Sequence, residues 1–153
     1  MLKFIIKTLS TFFYIGYLPF IPGTFASAAA LVLFYFIKDN FFIYAAVTLF
    51  LTILGFLICG SAERLFAKKD HRAIVIDEVS GMLLSLAFIP YDFKLVLVAF
   101  FVFRLLDTVK PYPADRLQDL KGSTGVMGDD IVAGLYTNIV LQLVVRLISF
   151  RVS

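Results

Sequence analysis

Nineteen consecutive uncharged residues, FFIYAAVTLFLTILGFLIC at 41–59, constrain this chain more than any other feature. A helix of ~20 apolar residues crosses ~30 Å of hydrocarbon. Inside lipid only a helix or a closed barrel satisfies every backbone N–H and C=O. Composition extends the inference to the whole chain. Hydrophobic residues make up 61% of the 153 and charged residues 16%, against roughly 45–50% and 25% in soluble domains. The expectation is an all-α, multi-span transmembrane helix bundle, a single membrane-embedded domain over residues 1–153.

The other apolar windows are shorter. Residues 25–37 give thirteen uncharged positions and 79–89 give eleven, while 93–103 give eleven with Lys94 at the start and 131–148 give eighteen with Arg146 near the end, where a long side chain can snorkel. Eleven residues of helix rise only ~16 Å, so the middle pair is read as helices over 74–89 and 93–108 that take in the flanking polar residues. Turns at KDN (38–40), PYD (90–92) and KPYP (110–113) separate the segments, and Pro111 stops a helix at or before Lys110. About five spans are predicted. At the start, Lys3 and Lys7 oppose Phe4, Ile5, Leu9, Phe12 and Phe13, the pattern of an N-terminal amphipathic helix lying in the interface. A cleaved signal fits less well, because Lys7 interrupts the apolar stretch and no small-x-small site follows.

The net charge of +3 does not point to nucleic acid, since the basic residues form no run that could follow a phosphate backbone. They gather near segment ends instead. Residues 60–76 carry Arg64, Lys68, Lys69 and Arg72, and residues 104–130 carry Arg104, Lys110, Arg116 and Lys121, while loops 38–40 and 90–94 hold one lysine each. The positive-inside bias then puts both basic loops in the cytoplasm, with the amino terminus inside and the carboxyl terminus outside. Cys59 has no partner in the chain, which excludes an intramolecular disulfide and a thiolate zinc site.

Under this topology four polar motifs share the cytoplasmic face: PFIPGT before the first span, IVIDE before the third, RLLDTVKPYP closing the fourth and GDDIVAG opening the fifth. Five of the eleven acidic residues, Asp77, Glu78, Asp107, Asp129 and Asp130, are thereby expected at one depth. Such a crowd of like charges needs a cation, and hard carboxylate oxygens suit magnesium, manganese or calcium. Asp129 or Asp130 alone reads equally well as a helix cap. Asp77 and Glu78 together with Asp107 do not, since Asp107 sits at a helix end where negative charge is disfavoured.

Arg104, Asp107 and Lys110, at i, i+3 and i+6, lie near one helix face. Lys110 is either the counter-ion of the carboxylates or, with the metal, a phosphate ligand. PGT at 22–24 adds the Gly23 backbone and the Thr24 hydroxyl at a helix start, a place suited to an anion, although the tripeptide also serves as a plain turn and cap. Gly81 and Gly134 read as points of close helix approach. His71, among Lys69, Asp70 and Arg72, reads as solvated or facing headgroups.

The motifs LPFIPGTFAS, DHRAIVIDEVSGM, FRLLDTVKPYP and GVMGDDIVAG, in this order between about residues 18 and 135, resemble the phosphatidylglycerophosphatase A family. The resemblance implies a magnesium-dependent phosphomonoesterase, with manganese as an alternative ion, that converts the phospholipid phosphatidylglycerophosphate to phosphatidylglycerol. It also implies a multi-pass protein of a bacterial inner membrane with its active site facing the cytoplasm. Asp77, Glu78, Asp107, Lys110, Asp129 and Asp130 occupy the polar positions of the family's motifs and become the expected catalytic set. Metal falls to the five carboxylates, and the substrate phosphate to Gly23, Thr24, Arg104 and Lys110. KKDHRA before IVIDE departs from the glycine or proline usual there in the family, so the resemblance assigns nothing to Asp70 or His71.

Elimination narrows the chemistry. Cys59 and Arg64 are too close for the loop of a cysteine phosphatase, and His71 is the one histidine, where a histidine phosphatase needs both a nucleophile and an acid. No DxDxT motif is present. Metal-activated water attacking phosphorus in line is then expected, with metal and Lys110 neutralising the equatorial oxygens. One ion or two, and an Asp nucleophile, are all compatible with the ligand count. A small ion- or proton-translocating membrane protein is the alternative, but it would spread acids through membrane depth. Here only Asp39 and Asp92 lie toward the other side, both in turns. The spaced DG, AR, G, D, D pattern of a nucleotide-linked lipid alcohol transferase is missing.

Overall fold

A computed structural model describes the backbone of residues 1–152 and the side chains of residues 1–147. Among these the chain is all-helical: α1 (Leu2–Ser10), a 3-10 turn (Ile15–Tyr17), α2 (Pro22–Ile37), α3 (Phe41–Phe66), α4 (Ile76–Ser85), α5 (Phe93–Val109), α6 (Ala114–Leu117) and α7 (Ser123–Val152). Local chemistry sets most boundaries. Pro22 opens α2, Asn40 caps α3 by accepting the Ile43 N–H at 3.1 Å, and Asp92 caps α5 by accepting from Lys94 and Leu95. Left-handed Ala67 and Lys110 end α3 and α5.

The short helix α4 is the hub. It packs against α2, α3, α5 and α7, and Val79, Ser80, Gly81, Met82, Leu83 and Ser85 are all buried. Gly81 and Gly134 let α4 and α7 touch backbone to backbone, as their expected role requires. A Cβ on Gly134 would come to 2.5 Å of the Gly81 carbonyl oxygen. Where α4 stops, α3 and α7 supply donors to carbonyls of its last turn and to the Ala87 carbonyl just beyond. Asn138 Nδ2 donates to Ser85 O at 3.1 Å and Ala87 O at 2.6 Å, and the Tyr44 hydroxyl donates to Leu83 O. A helix break at membrane depth is tolerable on just this condition.

The outer surface is apolar. Phe36, Phe42, Phe50, Leu57, Phe101 and Leu105 are all more than 60% exposed, and only 22% of the most apolar window of α3 is buried. A soluble core helix hides such a face, so this surface fits lipid.

Among the described residues, two helices, Phe41–Phe66 and Ser123–Leu147, are long and apolar enough to cross a membrane. That is fewer than the five or so expected. The helix expected over 74–89 is only Ile76–Ser85, because residues 74 and 75 are irregular and the Val75 N–H is taken by Ser10 O. Ten residues rise ~15 Å. Helices α2 and α5, of 16 and 17 residues, rise ~24–26 Å and fall just short of ~30 Å. The last helix begins at Ser123 rather than 131, so Asp129 and Asp130 lie well inside it and are not caps. The first helix ends at Ser10, and Phe12 and Phe13 follow it with φ of 43° and 54°.

Candidate active site

The starts of α2 and α4, the second turn of α7 and the end of α5 meet around a cavity of about 280 Å³. Its walls are Pro22 and Gly23 of α2, Asp77 and Glu78 in the first turn of α4, Arg104 and Asp107 on the last turns of α5, Lys110 just beyond, and Asp129 and Asp130 of α7. Oxygens of Asp77, Glu78 and Asp130 lie within 4.8 Å of one another, and so do oxygens of Asp107, Asp129 and Asp130. Asp130 belongs to both triads. Asp77, Asp129 and Asp130 keep 6%, 5% and 3% of their surface, which is little for charged groups and raises the question of what neutralises them.

Two cations answer part of it. Arg104 Nη1 lies 2.8 Å from Asp107 Oδ2, and Lys110 Nζ donates to Asp129 Oδ2 at 2.5 Å. For Lys110, burial acts to lower its proton affinity, but the hydrogen bond and charge of Asp129 outweigh it and hold the ammonium above the ordinary lysine value. Asp77 Oδ1, Glu78 Oε2, Asp129 Oδ1 and Asp130 Oδ2 are buried with no hydrogen-bond partner in the protein. An unsatisfied buried charge costs more than the ~1–3 kcal/mol of a neutral polar group. Four of them around one cavity, all hard oxygen donors in two overlapping triads, fit a divalent cation.

The family model for phosphatidylglycerophosphatase A matches residues 8–145. This chain belongs to the phosphatidylglycerophosphatase A family. Among its relatives are phosphatidylglycerophosphatase A of Escherichia coli (strain K12), 35% identical over 78% of this chain and 72% of the relative, and that of Haemophilus influenzae, 32% identical over 78% and 76%. A putative phosphatidylinositol-3-phosphatase of Bacteroides thetaiotaomicron is 30% identical over 91% of this chain and 92% of its own length. No solved structure matches.

The stretch matched to phosphatidylglycerophosphatase A contains every residue of the cavity wall. Of the residues singled out in the sequence, Gly23, Asp77, Glu78, Arg104, Asp107, Lys110, Asp129 and Asp130 line the cavity. Thr24, half-buried on α2, is not among its lining residues. Asp70 and Arg72, by contrast, do line it. The basic composition of their loop reads as topogenic charge and hides them. His71 between them stacks on Phe66 with ring centroids 4.5 Å apart and accepts the Ala73 N–H at Nδ1.

Proposed function

We propose that this cavity is the active site of a phosphomonoesterase that removes the terminal phosphate of phosphatidylglycerophosphate to give phosphatidylglycerol. Asp77, Glu78, Asp107, Asp129 and Asp130 hold magnesium or manganese, and the cavity faces the cytoplasm from a bundle inserted in a bacterial inner membrane. One observation carries this reading: buried, unpartnered carboxylate oxygens share a cavity with Arg104 and Lys110 in a chain of this family. In about five crossings, α3 and α7 span outright, α2 and α5 span with slight local thinning of the bilayer, and α4 is completed by the irregular chain after Ser85.

A bound divalent cation supplies an acidified water and neutralises phosphoryl oxygens. The protein's own groups do the rest. Arg104 and Lys110 offer the charge-assisted hydrogen bonds that orient a phosphoryl group and offset charge developing on it. Asp107 and Asp129 position those two cations through the ion pairs described above. Arg72, at the cavity wall with no ion pair among the described residues, suits the phosphodiester on the lipid side of the same substrate. Acyl chains need no cavity, since they stay in lipid along the exposed apolar faces, and about 280 Å³ has only to admit the headgroup. Acids concentrated at one end of the bundle do not form a transport path.

The test is release of inorganic phosphate from phosphatidylglycerophosphate and from phosphatidylinositol 3-phosphate by the purified chain in mixed micelles. Release from the first with magnesium, stopped by a chelator and restored by added ion, is expected. No release from either lipid, with ion flux in proteoliposomes, would replace the phosphatase with a translocator. Gly23 provides a finer check. A Cβ there would meet Glu78 Oε1 and lie 3.3 Å from Arg104 Nη1, so Gly23→Ala must displace a site carboxylate. A misplacement of ~1 Å costs on the order of 10²-fold. Turnover is expected to fall by about that factor with the unfolding temperature nearly unchanged, and wild-type turnover would remove Gly23 from the site.

A further inference from the structure

A second cavity, of about 630 Å³, shares no residue with the first. The link from α3 to α4 lies between them, with Lys68 and Lys69 lining the second cavity and Asp70 and Arg72 the first. Its charge is opposite. Arg64, Lys68, Lys69 and Lys121 face one carboxylate, Glu63, and Glu63 Oε1 already accepts the Asp70 backbone N–H at 2.7 Å. Arg64 donates to Ser61 Oγ and Lys69 to Asp119 O. Among the described residues, no hydrogen bond or ion pair occupies the ammonium of Lys68 or Lys121.

The frame around these cations is fixed. The Gly60 N–H donates to Ser123 Oγ at 2.7 Å and ties the end of α3 to the start of α7. A Cβ on Gly60 would sit 3.2 Å from that Oγ and 3.5 Å from the Gly122 Cα. Bare backbone therefore forms this side of the cavity. Four like charges held in one concavity raise its positive potential and favour an anion there.

One face of α3 says which anion. Seven residues make nearly two helical turns, so Phe50, Leu57 and Arg64 fall along a single line. Phe50 and Leu57 are 62% and 71% exposed. An acyl chain lying along them ends with its headgroup at Arg64 and the cavity mouth.

We propose that this basic cavity binds the phosphodiester headgroup of an anionic phospholipid that is not the substrate, held by Lys68, Lys121 and Arg64. Phosphatidylserine is a clean probe, because it is anionic and carries no phosphomonoester for the carboxylate site. The purified full chain is placed in neutral detergent micelles containing phosphatidylserine or phosphatidylcholine, and bound lipid is counted by native mass spectrometry. Wild type is expected to retain phosphatidylserine over phosphatidylcholine. K68A/K121A is expected to lose that retention by roughly tenfold or more, and K68R/K121R to keep it. K94A, outside both cavities, serves as the control and retains lipid as wild type does. Both lysines are exposed, so the variants fold, and phosphate release by K68A/K121A persists because neither residue lines the carboxylate cavity. Equal phosphatidylserine retention by wild type and K68A/K121A, or capture of inorganic phosphate with no lipid, overturns the proposal.

Discussion

Asp130→Asn is expected to lower phosphate release by about 10³-fold, the loss that follows removal of one preorganised charge-stabilising group at the upper end of its range. Asp130 is the most sensitive position because it belongs to both carboxylate triads. Asp77→Asn removes one member of a single triad and is expected to cost about 10²-fold. The same changes should stabilise the metal-free protein. Asp77 and Asp130 are buried beside other carboxylates, each with an oxygen that has no partner, and a neutral amide relieves both the repulsion and the desolvation. A gain of about 1 kcal/mol raises the unfolding temperature by about 2–4 °C in a chain of this size.

Asp129→Asn behaves oppositely. Its carboxylate is the partner of Lys110, and removing it strands a half-buried ammonium. Thermal unfolding in detergent with and without magnesium separates the cases. Wild type is expected to gain stability from the ion by mass action, and Asp130→Asn is expected not to. An Asp130→Asn protein that turns over normally, or that magnesium still stabilises as it does wild type, would dissolve the metal site.

The meeting of the first three motifs was legible because each lies near a helix boundary that sequence chemistry marks. Pro22 follows a loop, the polar residues 68–72 come shortly before Asp77 and Glu78, and Pro111 comes directly after Lys110. In a bundle of alternating helices, such boundaries return to the same end. The length of α4 was not legible. Apolar residues continue past Ser85 through Leu86 and Ala87 to Ile89, and the helix stops where Tyr44 and Asn138, 39 and 53 residues away, take carbonyls of its last turn. The start of α7 was hidden for a related reason. Gly125 and Gly128 weaken helix propensity in STGVMGDD, yet both are closely packed: a Cβ on Gly125 would collide with the Leu120 carbonyl, and one on Gly128 would lie 3.3 Å from the Leu117 side chain. Tertiary contact overrides local preference at both places, and it carries Asp129 and Asp130 from an apparent cap into the helix wall.

Gly134→Val is expected to lower both stability and turnover, in contrast to Asp130→Asn. A Cβ at Gly134 would approach Gly81 O to 2.5 Å and Gly81 Cα to 3.2 Å. One at Gly81 would meet Asp130 O at 2.6 Å and the Phe103 ring at 2.8 Å. Backbone atoms cannot rotate away as a side chain does, so α4 and α7 must separate. Overpacking of this kind costs about 1–3 kcal/mol, which lowers the unfolding temperature by about 2–12 °C. Separation also carries Asp130 on α7 away from Asp77 and Glu78 on α4 and opens the triad they form. Gly55→Ala on α3 is the matched control. Its new Cβ would meet the Met127 side chain, which is flexible enough to repack at small cost. The expected order of both unfolding temperature and magnesium stabilisation is therefore wild type, then Gly55→Ala, then Gly134→Val. A Gly134→Val protein that unfolds and turns over like wild type would mean that α4 and α7 do not touch there, and the carboxylates would lose the contact that gathers them.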